Sequence, residues 1–126
     1  MLLALAGIVL IASAVFARLP RPIAGVGTLD LCVLTQWPVV VFEGEDWRGA
    51  FPDDLRQSAP RQVPIVEWPG GMRFDQKVGA LLDADGTEVF RTGDRVKVEG
   101  SLIQTGGDPA PCDYTLGMKV TEIASP

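Results

Sequence analysis

The lack of any amphipathic helical stretch of three turns after residue 24 limits what this chain can fold into more than any other feature. In its place, short runs rich in β-branched residues alternate with Gly, Pro and Asp, which is typical of strands and turns. This texture predicts seven strands, at residues 27–35, 39–43, 62–68, 78–83, 88–91, 95–104 and 115–123. Short strands at this spacing favour an all-β fold, a small closed or nearly closed antiparallel barrel, over a sandwich.

Two of these strands indicate how the predicted barrel packs. Residues 95–102 alternate polar and apolar side chains, so we expect this strand to have one face in water and one face in the core. Residues 39–42 are apolar throughout, which predicts a strand that is covered on both faces.

The first seventeen residues carry no charged side chain. This stretch is long enough for a short transmembrane helix, and small residues at 12–14 and 15–17 have the spacing that signal peptidase reads. We therefore expect residues 1–17 to form a hydrophobic helix that serves either as a signal peptide or as a membrane anchor. Pro20 and Pro22 cannot continue this helix, so residues 18–24 are predicted to be a linker to a single domain at 25–126.

The charge balance and the histidine content exclude several classes of function. Beyond residue 21 the chain has nine basic and sixteen acidic side chains, a net charge of −7, which repels the phosphate backbone of nucleic acids. The chain has no histidine, which excludes Ser-His-Asp and Cys-His catalysis and histidine-ligated zinc. We expect no nucleic-acid partner, no cofactor and no enzymatic activity.

Residues 83–88, Asp-Ala-Asp-Gly-Thr-Glu, combine three acidic side chains with a glycine. An EF-hand calcium loop needs a third acidic ligand before its glycine and a glutamate at position 12, where this chain has Asp94. The apolar residues on either side instead predict a β-hairpin with Gly86 at a positive φ. We expect Asp83 and Asp85 to accept hydrogen bonds from amides of the turn rather than to hold a metal.

The chain has two cysteines, Cys32 in the first predicted strand and Cys112 just before the last. In a closed antiparallel barrel the first and last strands are often neighbours, so we expect the two thiols to meet. A structural disulfide in an oxidising, extracytoplasmic compartment is the prediction. The alternatives are two buried free thiols and a redox pair, for which the Cys-x-x-Cys spacing is missing.

At residues 91–100 a Thr-Gly-Asp turn leads into a strand that is expected to bend at Gly100. Glycine relieves a strand where a small barrel must curl sharply. This stretch resembles strands of the oligonucleotide/oligosaccharide-binding (OB) barrel, which implies an OB-like fold for the domain.

Over a wider range, from Gly27 to Tyr114, the chain resembles a group of small exported or membrane-anchored bacterial proteins. The shared features are a Gly-Thr-Leu opening followed by a Cys, a Trp-Pro-x-Gly turn, an Asp-x-x-Gly hairpin, a Gly-Asp turn and a late Cys. The resemblance implies the location, the fold and the paired cysteines, and it implies no reaction. The chain departs from the group by a longer segment between Cys32 and Val63.

That longer segment, residues 43–62, is rich in acidic residues and has two prolines. One interpretation is a binding lip, in which Trp47 and Phe51 are apolar anchors. Asp53 and Asp54, with the other acids of the segment, then attract a cation or a basic partner. The alternative is a solvent-exposed loop whose aromatic rings fold back over one end of the barrel.

Trp37 and Trp68 each precede a proline at a predicted strand end. OB barrels that hold sugars or bases stack them on aromatic rings, which makes both tryptophans candidates for ligand binding. The alternative is that these rings fill the barrel core.

These features lead to three hypotheses about function. The first is a non-catalytic cell-envelope module that binds an envelope protein or a glycan, with residues 1–17 in the membrane if they are retained. The second is a carbohydrate- or peptidoglycan-binding OB domain that uses Trp68 and the segment 43–62. The third is a carboxylate-based hydrolase that uses a pair of acids such as Asp53 and Asp75.

Overall fold

The computed structural model describes residues 19–33, 35–105, 112 and 115–126. This part of the chain is all-β apart from two short 3₁₀ helices, Trp47–Ala50 and Asp53–Ser58. The strands are β1 (Arg21–Leu31), β2 (Pro38–Phe42), β3 (Gln62–Glu67), β4 (Arg73–Asp75), β5 (Ala80–Leu82), β6 (Glu88–Arg91), β7 (Arg95–Gln104) and β8 (Leu116–Ala124). The hydrophobic helix predicted for residues 1–17 lies outside the described residues. Among the residues that are described, no helix has the length and apolar composition needed to cross a membrane.

Five strands close into a barrel in the order β1-β2-β3-β8-β7, and β1 pairs with both β2 and β7. The pairs are antiparallel except for β3 and β8, which run parallel with Ile65 opposite Met118. The predicted closed barrel is confirmed. The prediction of antiparallel pairing throughout is wrong, because strand direction cannot alternate all the way around a ring with an odd number of strands.

β1 is longer at its start than the predicted strand 27–35. It begins at Arg21, and residues 21–24, which the prolines indicate as part of a linker, pair with β7. Pro22 lies opposite Ser101 in this ladder. A proline ends a helix, but its φ of about −65° is compatible with extended backbone, so it does not prevent a strand from starting here.

β4, β5 and β6 form a separate antiparallel sheet, inserted in the chain between β3 and β7. The sheet packs on the barrel: Leu81 of β5 is fully buried in the barrel core, and Phe74 and Phe90 pack against the same cluster. The predicted strand 78–83 contains β5, whereas β4 has no predicted counterpart. A strand of three residues is too short to show an alternating pattern, so its sequence does not reveal it.

The hairpin predicted at Asp83 is confirmed. Its Oδ1 accepts hydrogen bonds from the backbone N–H groups of Asp85 and Thr87, both at 2.9 Å, and Gly86 has a φ of +84°. Asp85 takes part through its amide rather than its carboxylate. No group of three or more potential metal ligands occurs in the described part of the chain. Asp83 therefore stabilises the turn itself.

The core follows the predicted patterns. In β7, Val96, Val98 and Leu102 are buried while the residues between the two valines and on either side of them are exposed. In β2, Val39 and Val40 are both fully buried. Because successive side chains of a strand point to opposite faces, Val40 enters the barrel core and Val39 enters a second cluster on the outer face. The prediction that β2 is covered on both faces is confirmed.

Gly100 marks the predicted bend in β7. The pairing between β7 and β8 shifts register between Glu99 and Gly100. A Cβ atom at Gly100 would collide with the backbone carbonyl oxygen of Lys119. A glycine is therefore required at this position, where the backbone of β8 leaves no room for a side chain.

Candidate functional site

A disulfide joins Cys32, just after β1, to Cys112, before β8, with an S–S distance of 2.09 Å and the Cα atoms 6.0 Å apart. The predicted pairing is confirmed, but the reason for it was wrong. β8 lies between β3 and β7, so β1 and β8 are not neighbours in the barrel. The disulfide instead links the β1–β2 loop to the chain between β7 and β8, and both cysteines pack against Val39 on the outer face of β2.

The β1–β2 loop places the indole ring of Trp37. At the base of the loop, the backbone N–H of Cys32 donates to the carbonyl of Trp37 at 3.0 Å, and that of Gln36 donates to the carbonyl of Cys32 at 2.9 Å. The Trp37 ring packs against the disulfide cluster, and its Nε1–H donates to the carbonyl of Ile65 in β3 at 2.8 Å. The disulfide and β3 together hold this ring.

An open groove of about 390 Å³ lies beside the Trp37 ring, and we call it the tryptophan groove. Its walls come from the β1–β2 loop, the end of β3, and β4 with the turn before it. The rings of Trp68 and Phe74 are stacked with an offset, with centroids 6.2 Å apart and planes inclined by 15°. The groove is lined by Trp37, Pro38, Ile65, Val66, Glu67, Trp68, Met72, Arg73, Phe74 and Gln76.

Trp68 contributes to the core without being enclosed by it. Its ring packs against the barrel core cluster, and it is half-buried rather than enclosed, so part of its surface borders the tryptophan groove. Trp37 is half-buried in the same way, although it packs on the disulfide cluster. The two tryptophans therefore anchor the fold and leave part of their aromatic surface open to the groove.

Polar side chains border this aromatic surface. The Gln76 amide donates to the carbonyl of Gln36 at 3.3 Å, and the Glu67 carboxylate pairs with Lys119 at 3.3 Å. Arg73 is exposed, and its side chain has no hydrogen bond, ion pair or ring contact with any described residue. An apolar wall with a few polar groups at its rim is the usual composition of a small-molecule site.

The segment 43–62 folds onto the barrel through its two 3₁₀ helices. Phe51 is 2% exposed, and its ring meets that of Phe42 edge-on, with centroids 5.7 Å apart. Trp47 is half-buried, packs edge-on against Phe51 at 6.4 Å, and has the Arg48 guanidinium 4.4 Å from its ring centroid. Of the two interpretations of these aromatic residues, the structure shows the second, in which the rings fold back onto the barrel.

Three acids of this segment, Glu43, Asp53 and Asp54, pair with arginines. Asp54 accepts two hydrogen bonds of 2.8 Å from the Arg21 guanidinium, and this pairing raises the pKa of Arg21. Glu43 pairs with Arg95, whose hydrogen bonds hold the pKa of the Glu43 carboxyl below its ordinary value. A second open groove, of about 620 Å³, lies beside the Arg21 pair. Of the charged residues on its border, Arg21 and Asp53 are paired within the protein, with Asp54 and Arg56.

Asp53 and Asp75, the hypothetical hydrolase pair, lie on different parts of the fold. Asp53 begins the second 3₁₀ helix, pairs with Arg56 at 2.5 Å and borders the groove beside Arg21. Asp75 ends β4 in the separate sheet, where its Oδ1 accepts a hydrogen bond from the backbone N–H of Lys77 at 2.9 Å. Asp75 is not among the residues that line the groove at Asp53. The structure therefore does not bring these two acids together there.

Sequence reasoning identified Trp68 as a candidate but missed Phe74 and Arg73, which line the same groove. They return to Trp68 because the chain turns at Gly70 and Gly71, which both have a positive φ. The Pro-Gly-Gly sequence after Trp68 was the available signal, since it predicts a reversal of the chain. An aromatic residue a few positions beyond such a turn comes back alongside the residue before it.

Comparisons with family models, with curated proteins and with solved structures find no match to this chain.

Proposed function

We propose that this chain is a non-catalytic binding module of the cell envelope and that it holds a carbohydrate in the tryptophan groove. The observation that carries the proposal is the groove itself, in which two half-buried indole rings and Phe74 are bordered by charged and amide side chains. Ligand sites combine aromatic walls with a few polar groups that orient the ligand. A pyranose has both chemistries, because its C–H face packs on an aromatic ring and its hydroxyl groups bond to polar side chains.

The strand order supports an OB-type assignment for the barrel. β8 enters between β3 and β7 and runs parallel to β3, as expected for a five-stranded Greek-key barrel of this type. OB barrels bind oligosaccharides and oligonucleotides on the face of their second and third strands, beside the loops that follow the first and fourth barrel strands. In this chain the disulfide joins those two loops, and the groove opens beside β3. The net negative charge favours an oligosaccharide over an oligonucleotide.

The disulfide supports a location outside the cytoplasm. Disulfides persist in oxidising compartments and are rare where glutathione keeps thiols reduced. Cys32 and Cys112 are both buried, which shields the bond from reductants. In this proposal residues 1–17 are the signal peptide or membrane anchor that brings the barrel to the envelope, in agreement with the resemblance to small exported bacterial proteins.

Screening on a glycan array, followed by calorimetric titration of the best-bound glycan, tests this function. The array carries neutral and acidic oligosaccharides and peptidoglycan fragments, and the protein is kept oxidised so that Trp37 stays in place. Trp68→Ala is expected to weaken binding about tenfold or more, by analogy with the about 1–3 kcal/mol that a nucleic-acid base gains by stacking on one aromatic ring.

Trp47→Ala is the matched control, because it removes another half-buried indole ring that is not part of the groove. It should leave the affinity unchanged, and circular dichroism should show that both variants are folded. If the parent chain binds no glycan, or if Trp68→Ala binds as tightly as the parent, the proposed function is wrong.

A further inference from the structure

Almost all arginine side chains among the described residues of this acidic protein have a bonding partner. In the part of the chain that the structure describes, six of them contact a carboxylate, a backbone carbonyl or an aromatic ring: Arg21, Arg48, Arg56, Arg61, Arg91 and Arg95. Arg73 is the exception, since it is exposed and contacts none of these groups among the described residues. Among the described arginines, one guanidinium is thus left unpaired although acidic groups are in excess, and that guanidinium borders the tryptophan groove.

The groups around Arg73 do not neutralise it. Glu67 is the acidic residue that lines the groove, and its carboxylate is 3.3 Å from Lys119 on the neighbouring strand. The Gln76 amide is directed to the carbonyl of Gln36. The groove therefore combines an aromatic wall with a positive charge that has no partner among the described residues.

We propose that the groove selects a sugar that carries a carboxylate, a uronic acid being the simplest, and that Arg73 binds the carboxylate while Trp68 packs against the sugar ring. This inference rests on the proposed function and names its ligand class. Guanidinium and carboxylate match in geometry, because two parallel N–H···O bonds join them, and one carboxylate neutralises one arginine.

A carboxylate fits the charge of this site better than a phosphate monoester does. A phosphate monoester carries about −1.5 to −2 charges at pH 7, so part of its charge would be left without a partner. That excess would lie near Glu67 in a protein that is already negative. A single negative charge on the sugar leaves no such excess, so the class of ligand is a carboxylated saccharide.

A pair of simple glycosides tests this inference. Methyl β-D-glucuronide and methyl β-D-glucoside differ only at C6, where a carboxylate replaces a hydroxymethyl group, and NMR titration of the indole N–H signals of Trp37 and Trp68 reports binding of each. The parent chain is expected to bind the glucuronide about tenfold more tightly, the effect of a charge-assisted hydrogen bond. Added salt should weaken binding of the glucuronide alone.

Arg73→Gln should abolish the preference, so that the glucuronide and the glucoside bind this variant with similar affinities. Lys77→Gln is the matched control, because it removes one positive charge from an exposed side chain that does not line the groove, and it should keep the preference. Equal affinities in the parent, a preference that survives Arg73→Gln, or no response to either glycoside would overturn the inference. The proposed function is tested separately by the glycan array and Trp68→Ala, so a failure of this inference does not by itself refute it.

Discussion

Removal of the Cys32–Cys112 disulfide should take away a large part of the free energy of unfolding. The bond closes a loop with a sequence separation of 80 residues. In the chain-entropy description, a loop of that length restricts the unfolded chain by about 4.5 kcal/mol at 25 °C. Single domains unfold with about 5–15 kcal/mol, so the disulfide contributes about a third of the total or more.

The folded barrel should nevertheless survive this loss. The ladders that close the barrel, between β1 and β7 and between β7 and β8, do not involve either cysteine. Replacing both cysteines with alanine removes two sulfur atoms from the cluster around Val39 and no atom from the barrel core. We therefore expect a native barrel with a lower free energy of unfolding.

Urea unfolding followed by tryptophan fluorescence measures the effect on the Cys32→Ala/Cys112→Ala variant. With an m-value of about 1.5 kcal/mol/M, a loss of about 4.5 kcal/mol lowers the midpoint by about 3 M. The m-value itself should rise, because an unfolded chain without the cross-link exposes more surface. The parent chain in reductant is the matched comparison, since it loses the same cross-link without a substitution.

A loss of less than about 1 kcal/mol in both the variant and the reduced parent would refute the reasoning from loop entropy. A large loss in the variant alone would show that packing around Val39, rather than the cross-link, stabilises the protein.

Two further predictions concern the barrel and its surface. Gly100→Ala places a methyl group against the carbonyl oxygen of Lys119, so urea unfolding should show a loss of about 1–3 kcal/mol. Gly49→Ala is its control, because no atom lies within 4 Å of the added Cβ, and equal losses in both variants would contradict the steric argument. Arg95→Gln should raise the pKa of Glu43 towards its ordinary value in an NMR titration, because the hydrogen bonds from Arg95 lower that pKa. A pKa that is lowered in the folded state adds stability that is lost as the pH falls through it, so below pH 4.5 the variant should lose less stability than the parent. An unchanged pKa of Glu43 in Arg95→Gln would exclude this ion pair in solution.

Patterns within single segments were enough to predict the strands of the barrel and one of its turns. The alternation in β7 and the apolar run in β2 are properties of one strand each, so they need no knowledge of the neighbours. The hairpin at Asp83 is equally local, because its carboxylate bonds amides no more than four residues away. The pairing of Cys32 with Cys112 was also predicted, but from a contact between the first and last strands that this barrel does not have.

Only the tertiary structure decided which strands are neighbours, where the aromatic rings of the acidic segment go, and how the groove is built. The composition around Phe51 suits a binding lip as well as a core contact, and packing against Phe42 decides between them. Trp37 precedes Trp68 in the chain and Phe74 follows it, and both line the same groove as Trp68. The disulfide-linked loop positions Trp37, and β4 positions Phe74. The physical reason is that a residue's preference for water or for apolar surroundings depends on the chemistry of its own side chain. Which residue packs against it depends instead on how long loops close and on how one close-packed interior is filled. Both depend on the whole chain.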